Sequence, residues 1–194
     1  TINREPQLNA VNAQTSSEMY RAWEDFRDDS NVRVCILTGT GAKSFSTGMD
    51  LVATSRGENQ FEGGRPVPFG GFTKRMPIYK PIIAAINGYC LAGGMELALT
   101  CDIRICTPEA RFGLPEVKRG LMAGAGGVHR LANVLPRNLA AELIATGEPL
   151  DAARAEQPHA VVRRQEVEVV GRVGDVGQRA CPARECLAGT GVER

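Results

Sequence analysis

The apolar run Pro81–Ile86 most strongly limits what this chain can fold into. Its residues show no polar alternation, which suits a strand covered on both faces, as in a parallel sheet. The β-branched run Val32–Thr38 predicts a second strand, and Asp102–Cys106 predicts a third. A helix is expected between the last two strands, from about Gly94 to Cys101. Strands that alternate with helices indicate an α/β domain with parallel pairing.

The remaining pattern predicts more helices and one irregular stretch. Thr15-Ser16-Ser17-Glu18 fits a capping box and predicts that a helix starts there. Three further helices are expected near residues 115–120, 126–134 and 137–146. Residues 57–71 are rich in glycine and proline, so they predict a mobile loop without regular structure.

Two helix starts are marked by glycines, and each carries a glutamate. The first, Asn87–Leu97, contains Glu96, and the second begins at Phe112 and contains Glu116. Glycines let backbone N–H groups approach a ligand closely, and the helix dipole favours negative charge there. A carboxylate beside such donors can move protons to or from a substrate whose charge they stabilise. The pairing therefore indicates chemistry on a polarised carbonyl group.

The alternative is a purely structural role for these two acids. An acid in the first turn of a helix complements the dipole, and Pro115 before Glu116 suits a first helical position. However, Glu96 lies within an otherwise apolar helix, where an acid without a role is costly. Considered together, the two acids favour a functional site.

Composition and charge exclude several classes of function. The formal net charge of +1 gives no reason to expect nucleic acid or an anionic membrane as a partner. No apolar run approaches the roughly 18–20 residues of a membrane span. Four of the six cysteines lie in apolar surroundings, which predicts buried free thiols in a reducing, cytoplasmic compartment. The two histidines, His129 and His159, have no second ligand at a suitable spacing, so no metal site is expected.

The segment Thr38–Ser44 resembles a phosphate-binding loop only superficially. Ala42, not glycine, precedes Lys43, and the spacing of the nucleotide-binding patterns fails. A strand followed by a tight turn explains this segment better than a nucleotide site.

Four strings of the chain are specific when taken together: FSTGMDL (45–51), KPIIAAINGYCLAGGMELALTCD (80–102), ARFGLPEVKRGL (110–121) and GAGGVHRL (124–131). By these strings the chain resembles the enoyl-CoA hydratase/isomerase superfamily, the crotonase family. The resemblance extends from residue 1 to about residue 156. It implies an α/β fold, a spiral of repeated ββα units, assembled as a homotrimer or a hexamer.

The resemblance also implies the roles of individual residues. The backbone N–H groups of Met49 and Gly93 would form an oxyanion hole for the thioester carbonyl of an acyl-CoA, with Glu96 and Glu116 as the catalytic acids. Further substrate contacts are expected from Lys43, Gly48, Asp50, Leu51, Gly94 and Gly124. Coenzyme A is part of the substrate, so no separate cofactor is expected.

Both glutamates are present, which resembles the hydratases and predicts addition of water to an enoyl-CoA in fatty-acid β-oxidation. Two alternatives remain open. Residues 55–58 (SRGE) and Gly71-Phe72-Thr73 resemble a branch with dehydratases, so carnitinyl-CoA dehydration or enoyl-CoA isomerisation is a second enzyme hypothesis. An inactive CoA-binding remnant is the third.

The last hypothesis arises because the chain departs from the family pattern after about residue 157. Pro158–Arg194 contains no Ile, Lys or aromatic residue, and it shows no clean helical or strand period. The sequence therefore predicts a core over residues 1–156 and an atypical tail over 157–194. The tail is interpreted as disordered, or as an out-of-frame or truncated version of the helical C-terminal region, and it is expected to weaken the oligomer.

Overall fold

A computed structural model describes residues 1–57, 61–62, 65–74 and 76–163 of the chain. Within these ranges the helices are α1 (Ala13–Asp28), α2 (Leu51–Ser55), α3 (Gly93–Thr100), α4 (Gly127–Val134), α5 (Arg137–Thr146) and α6 (Ala152–Glu156). The strands are β1 (Cys35–Thr38), β2 (Ser44–Ser46), β3 (Phe61–Glu62), β4 (Arg65–Pro66), β5 (Ile82–Ile86), β6 (Tyr89–Leu91), β7 (Ile103–Cys106), β8 (Arg111–Gly113), β9 (Leu150–Asp151) and β10 (Val162–Arg163).

Two four-stranded sheets form the frame of the molecule. The first has the order β1-β5-β7-β10, with every pair parallel. The second has the order β2-β6-β8-β9, in which only β9 runs antiparallel to its neighbour. The chain repeats one path three times: a strand in the first sheet, a strand in the second, and then a helix. The repeats are β1-β2-α2, β5-β6-α3 and β7-β8-α4, so the predicted α/β fold of ββα units is confirmed.

The helix α1 fixes one wall of the core. Its apolar face buries Met19, Trp23 and Phe26. The Trp23 ring lies 4.2 Å from that of Phe72, centroid to centroid, and its indole N–H donates to the carbonyl of Gly70 at 3.0 Å. These contacts attach the short segment after Pro68 to α1, which matters because that segment borders the site described below.

Two expectations about local structure were wrong, and a third, the helix near 115–120, was right in place but not in type. The helix α1 begins at Ala13, and its cap is Asn12, whose side chain accepts the Thr15 N–H at 2.9 Å; asparagine caps as well as threonine does. The stretch 57–71 is not wholly irregular, since β3 and β4 pair in it and a 3₁₀ turn covers Phe69–Gly71. The helix near 115–120 is a 3₁₀ turn, Pro115–Arg119.

The predicted burial of the thiols is confirmed for three of the four described cysteines. Cys90, Cys101 and Cys106 are buried, Cys35 is partly buried, and none of these four is in a disulfide. Burial raises the pKa of the Cys35 thiol to about 11, so it stays a neutral apolar group at physiological pH.

Part of the tail prediction can be compared with the structure. Val162 lies in β10, which extends the first sheet beside β7. The valines at 167, 169 and 170, and the rest of the tail over 164–194, lie outside the described residues.

Candidate active site

Three parallel strands of the second sheet end at one edge, and the predicted site residues follow them. Met49 comes after β2, Gly93 comes after β6, and Glu116 comes after β8. Because the carboxyl ends of parallel strands meet at the same edge, residues far apart in sequence become neighbours there. Glu96 joins them from the first turn of α3.

The two predicted oxyanion donors lie on adjacent stretches of backbone. A Cβ added to Gly48 would lie 2.7 Å from the nitrogen of Gly93, which shows how closely the two loops approach. The Val11 N–H donates to the carbonyl of Gly48, and the Val11 carbonyl accepts the N–H of Asp50. The N–H of Met49, which lies between these two groups, therefore faces away from Val11. Gly93 is the first residue of α3, so its N–H has no acceptor within the helix.

Backbone strain marks this loop. Ala92, the residue before Gly93, has φ 51° and ψ −128°, a conformation that non-glycine residues rarely adopt. Such a conformation costs about 1–3 kcal/mol and persists where surrounding structure imposes it. Here the Ala92 N–H donates to the carbonyl of Gly113 at 2.9 Å, which fixes the turn that presents the N–H of Gly93.

Glu96 is held by the backbone of another helix. Its side chain is buried, with 4% of the residue surface exposed. Its Oε1 accepts two N–H groups, from Ala125 and Gly127, each at 2.8 Å. These donors belong to the amino end of α4, where N–H groups lack helical partners and the dipole favours an anion. Two donors thus fix Oε1 of Glu96, and neither bond occupies Oε2.

Glu116 has the opposite environment. It is partly buried, and within the described part of the chain no group hydrogen-bonds to its Oε2, although that atom is buried. Burial raises the pKa of Glu116, and the negative charge of Glu96 raises it further. The two glutamates therefore have different surroundings: Glu96 is held by two backbone N–H donors, and Glu116 keeps a buried oxygen without a hydrogen-bond partner.

The other predicted contact residues are spread more widely. Gly94 packs on β2, since a Cβ there would lie 2.2 Å from the carbonyl oxygen of Ser46. Leu51 is exposed in α2, and Gly124 is exposed just before the two N–H groups that hold Glu96. Lys43 is exposed, but it precedes β2 at the amino end of that strand, away from the carboxyl edge.

Asp50 has partners within the chain. Its carboxylate accepts the Ala53 N–H at 3.0 Å as the cap of α2 and forms an ion pair with Arg4 at 2.9 Å. The Ala53 bond and the Arg4 charge hold the pKa of Asp50 below its usual value. Asp50 therefore anchors the loop that carries Met49.

Sequence reasoning missed two features of this site. The aromatic ring of Phe69 packs on Gly93, where an added Cβ would lie 2.5 Å from its Cζ. The N–H groups of Ala125 and Gly127 hold Glu96 from 29 and 31 positions away. The glycine-rich string 124–127 was a signal for the second feature, but Phe69 lies in a stretch with no periodic pattern.

Over the described ranges, no three His, Cys, Asp or Glu side chains are grouped as they would be around a metal ion. In the same ranges, no helix has the length and hydropathy to cross a membrane.

Comparison with known proteins decides the family. The family model for enoyl-CoA hydratase/isomerase matches residues 1–170. The chain belongs to the enoyl-CoA hydratase/isomerase family. A carnitinyl-CoA dehydratase of Citrobacter koseri is 44% identical over 155 residues, which are 80% of this chain and 59% of that protein.

Solved structures of family members agree with the fold. An enoyl-CoA hydratase from Mycobacterium marinum matches with a TM-score of 0.78 and 46% identity, over 84% of this chain and 63% of that chain. A carnitinyl-CoA dehydratase from Mycobacterium avium matches with a TM-score of 0.78 and 47% identity, over 82% of this chain and 62% of that chain. This chain thus spans about three fifths of the length of these enoyl-CoA hydratase/isomerase relatives.

Proposed function

We propose that this site adds water across the Cα–Cβ double bond of an enoyl-CoA thioester, or removes water in the reverse direction. One observation carries the proposal. The sheet edge combines two backbone N–H donors, at Met49 and Gly93, with two glutamates, of which Glu96 is held by two N–H groups and Glu116 is partly buried with a raised pKa. Hydration of a conjugated thioester needs a group that stabilises an enolate, a base for water and an acid for carbon.

The first half of the reaction uses the base and the N–H donors. The thioester oxygen accepts hydrogen bonds from Met49 and Gly93, which draws electron density from Cβ. Glu96 takes a proton from water as the water oxygen bonds to Cβ, and the double-bond electrons move to form an enolate. Loss of one such donor costs roughly 3–4 kcal/mol of barrier in other oxyanion holes.

The second half uses Glu116 as the acid. The enolate collapses, Cα takes the proton of Glu116, and the thioester carbonyl re-forms. Glu96 is then protonated and Glu116 ionised, so one proton passes between them before the next cycle. Burial and the charge of Glu96 both raise the pKa of Glu116, which supports its role as the donor.

Exposed apolar side chains support an acyl-CoA as the substrate. Met49 and Leu51 are 43% and 47% exposed beside the proposed oxyanion hole, and Leu121 and Met122 are 52% and 79% exposed after Glu116. Such groups suit an acyl chain. Coenzyme A arrives with the substrate and no other cofactor is proposed; contacts of its phosphates with Lys43 remain a prediction.

Two substrates are candidates within this chemistry. The sequence favoured an enoyl-CoA of fatty-acid β-oxidation, with carnitinyl-CoA dehydration as the first alternative. Curated relatives at 44% identity are named carnitinyl-CoA dehydratase, and one of the solved relatives above also bears that name. We therefore place carnitinyl-CoA first and a simple enoyl-CoA second.

A substrate panel tests the proposal. Purified protein is assayed with carnitinyl-CoA and crotonyl-CoA, following the absorbance of the conjugated thioester. We expect kcat/KM for carnitinyl-CoA to be at least roughly tenfold higher, the size of a difference of about 1.4 kcal/mol. The reverse order would support the simple enoyl-CoA. Turnover of neither substrate by a folded protein that still binds acetyl-CoA would reject the hydratase proposal in favour of the inactive remnant.

Assembly as a homotrimer or hexamer in the cytoplasm remains part of the proposal. The outer face of the first sheet supports association, because Ile36 and Ile103 are 44% and 47% exposed there. They lie on either side of Ile83 in register. All-parallel sheets are usually covered on both faces.

A further inference from the structure

The side chain of Arg130 joins two parts of the site. It lies in the first turn of α4, and its Nη1 donates to the carbonyl of Ala125 at 2.7 Å. Its Nη2 donates to the carbonyl of Thr73, also at 2.7 Å. A planar guanidinium directs N–H groups on two separate nitrogens at two carbonyls in a fixed geometry.

One end of this bridge is the backbone that holds Glu96. Both backbone polar groups of Ala125 form hydrogen bonds: its N–H donates to Glu96, and its carbonyl accepts from Arg130. Gly126 has φ 101°, and a Cβ there would lie 2.2 Å from Nη1 of Arg130. Because Gly126 has no side chain, the guanidinium of Arg130 can pack directly against the backbone of this loop.

The other end of the bridge reaches the oxyanion side. Thr73 is buried, and its hydroxyl donates to the carbonyl of Phe69 at 2.8 Å. Phe69 in turn packs on Gly93, the residue that supplies one of the proposed oxyanion donors. Arg130 thus connects the base to the N–H donors across 57 positions of sequence.

We propose that Arg130 is a positioning residue, whose guanidinium holds the Ala125 and Gly127 N–H groups in place for Glu96. The inference rests on the proposed function, because Glu96 is the base only within it. The strength of the bridge comes from charge-assisted hydrogen bonds, which are roughly twice as strong as neutral ones. A shift of the base by about 1 Å can cost roughly 100-fold in rate.

A double-mutant cycle tests this role. Arg130→Met removes both donors and keeps an unbranched side chain. We expect its kcat for hydration to fall 10-fold to 100-fold, with KM changed by less than about threefold. Arg130→Lys keeps the charge but replaces two donor nitrogens in a fixed plane by one, so its kcat should be intermediate. In the Glu96→Gln background, Arg130→Met should cost less than threefold, because the base it positions is already gone. Equal losses in both backgrounds would overturn the proposal.

Hydrogen exchange supplies a readout that does not depend on activity. Arg130→Met should speed exchange of the Ala125 and Gly127 amides at least tenfold and leave those of Ile82–Ile86 unchanged. Arg137→Met, a change of an exposed arginine at the start of α5, is the matched control and should alter neither kcat nor exchange. Unchanged exchange at Ala125 and Gly127 would overturn the proposal, and so would equal acceleration throughout the core.

Two further outcomes are distinguishable. If the unmodified protein hydrates neither substrate, the proposed function fails, and with it the positioning role, while the exchange data still report on the bridge itself. If Arg130→Met does not fold, Arg130→Lys carries the same cycle and the same exchange comparison.

Discussion

Replacing Glu96 by glutamine (Glu96→Gln) separates its chemical role from its structural role. The amide keeps the shape of the side chain, and its oxygen can still accept the N–H groups of Ala125 and Gly127, which now lie 2.8 Å from Oε1. What the variant loses is the charge and the ability to accept a proton from water.

The cost in stability follows from the two hydrogen bonds. Bonds to a charged group contribute about 1.5–3 kcal/mol each and neutral ones about 0.5–1.5, so two bonds lose roughly 2–3 kcal/mol. Domains have about 5–15 kcal/mol of stability, so Glu96→Gln should remain almost entirely folded. Glu96→Ala is the control, because it leaves both buried N–H groups without the acceptor and should be less stable than Glu96→Gln by about 2 kcal/mol or more.

The cost in rate is larger than any loss of folded protein can explain. General base catalysis contributes roughly 100-fold to 10,000-fold. We therefore expect kcat for hydration to fall at least about 100-fold, equivalent to about 2.7 kcal/mol of barrier. A loss of a few per cent of folded protein would lower the measured rate by only a few per cent, so it cannot account for a fall of about 100-fold in kcat.

Urea unfolding and initial-rate kinetics on the same samples provide the assay. Glu96→Gln and Glu96→Ala should be about equally inactive but unequal in stability. Turnover of Glu96→Gln within threefold of the unmodified enzyme would refute the role of Glu96 as the base. Equal stability of the two variants would refute the account of how α4 holds it.

Two further predictions concern pH and helix capping. Burial raises the pKa of Glu116 in the folded state, so the folded protein binds its proton more tightly than the unfolded chain does. The resulting contribution to stability is fully present below the pKa of an unfolded glutamate, about 4.3. It is lost as the pH rises through the folded-state pKa. Glu116→Gln should therefore gain stability relative to the unmodified protein from pH 4 to pH 8 in urea unfolding, and a constant difference would contradict this reasoning. Asn12→Ala removes the cap of α1 and should cost about 1 kcal/mol, lowering Tm by about 2–4 °C in a thermal scan; an unchanged Tm would show that Thr15 needs no cap from Asn12.

Several expectations could be made from sequence because they depend on local preferences. The apolar run Pro81–Ile86 contains β5, since a continuous stretch of this kind needs cover on both faces. An acid among apolar neighbours at Glu96 pointed to a buried carboxylate, and the residue is 4% exposed. The motif strings pointed to the family, which the match over residues 1–170 establishes.

Other local expectations failed where two signals competed. Both Asn12 and Thr15 are good caps, and they lie three positions apart. In the folded chain Asn12 is the cap, because its side chain accepts the Thr15 N–H. Within 57–71, the pairing of β3 with β4 depends on residues whose composition alone predicts an irregular loop.

The sequence by itself determined which residue types are present at the sheet edge, because strand period, helix spacing and motif order are properties of neighbouring residues. Only the tertiary structure decided what each of them touches. The second sheet brings the ends of β2 and β6 together, so Gly48 meets Gly93, and Arg130 reaches Thr73 across the site. Such contacts join positions tens of residues apart, and their hydrogen-bond partners are set by the packing of whole elements, which no local preference encodes.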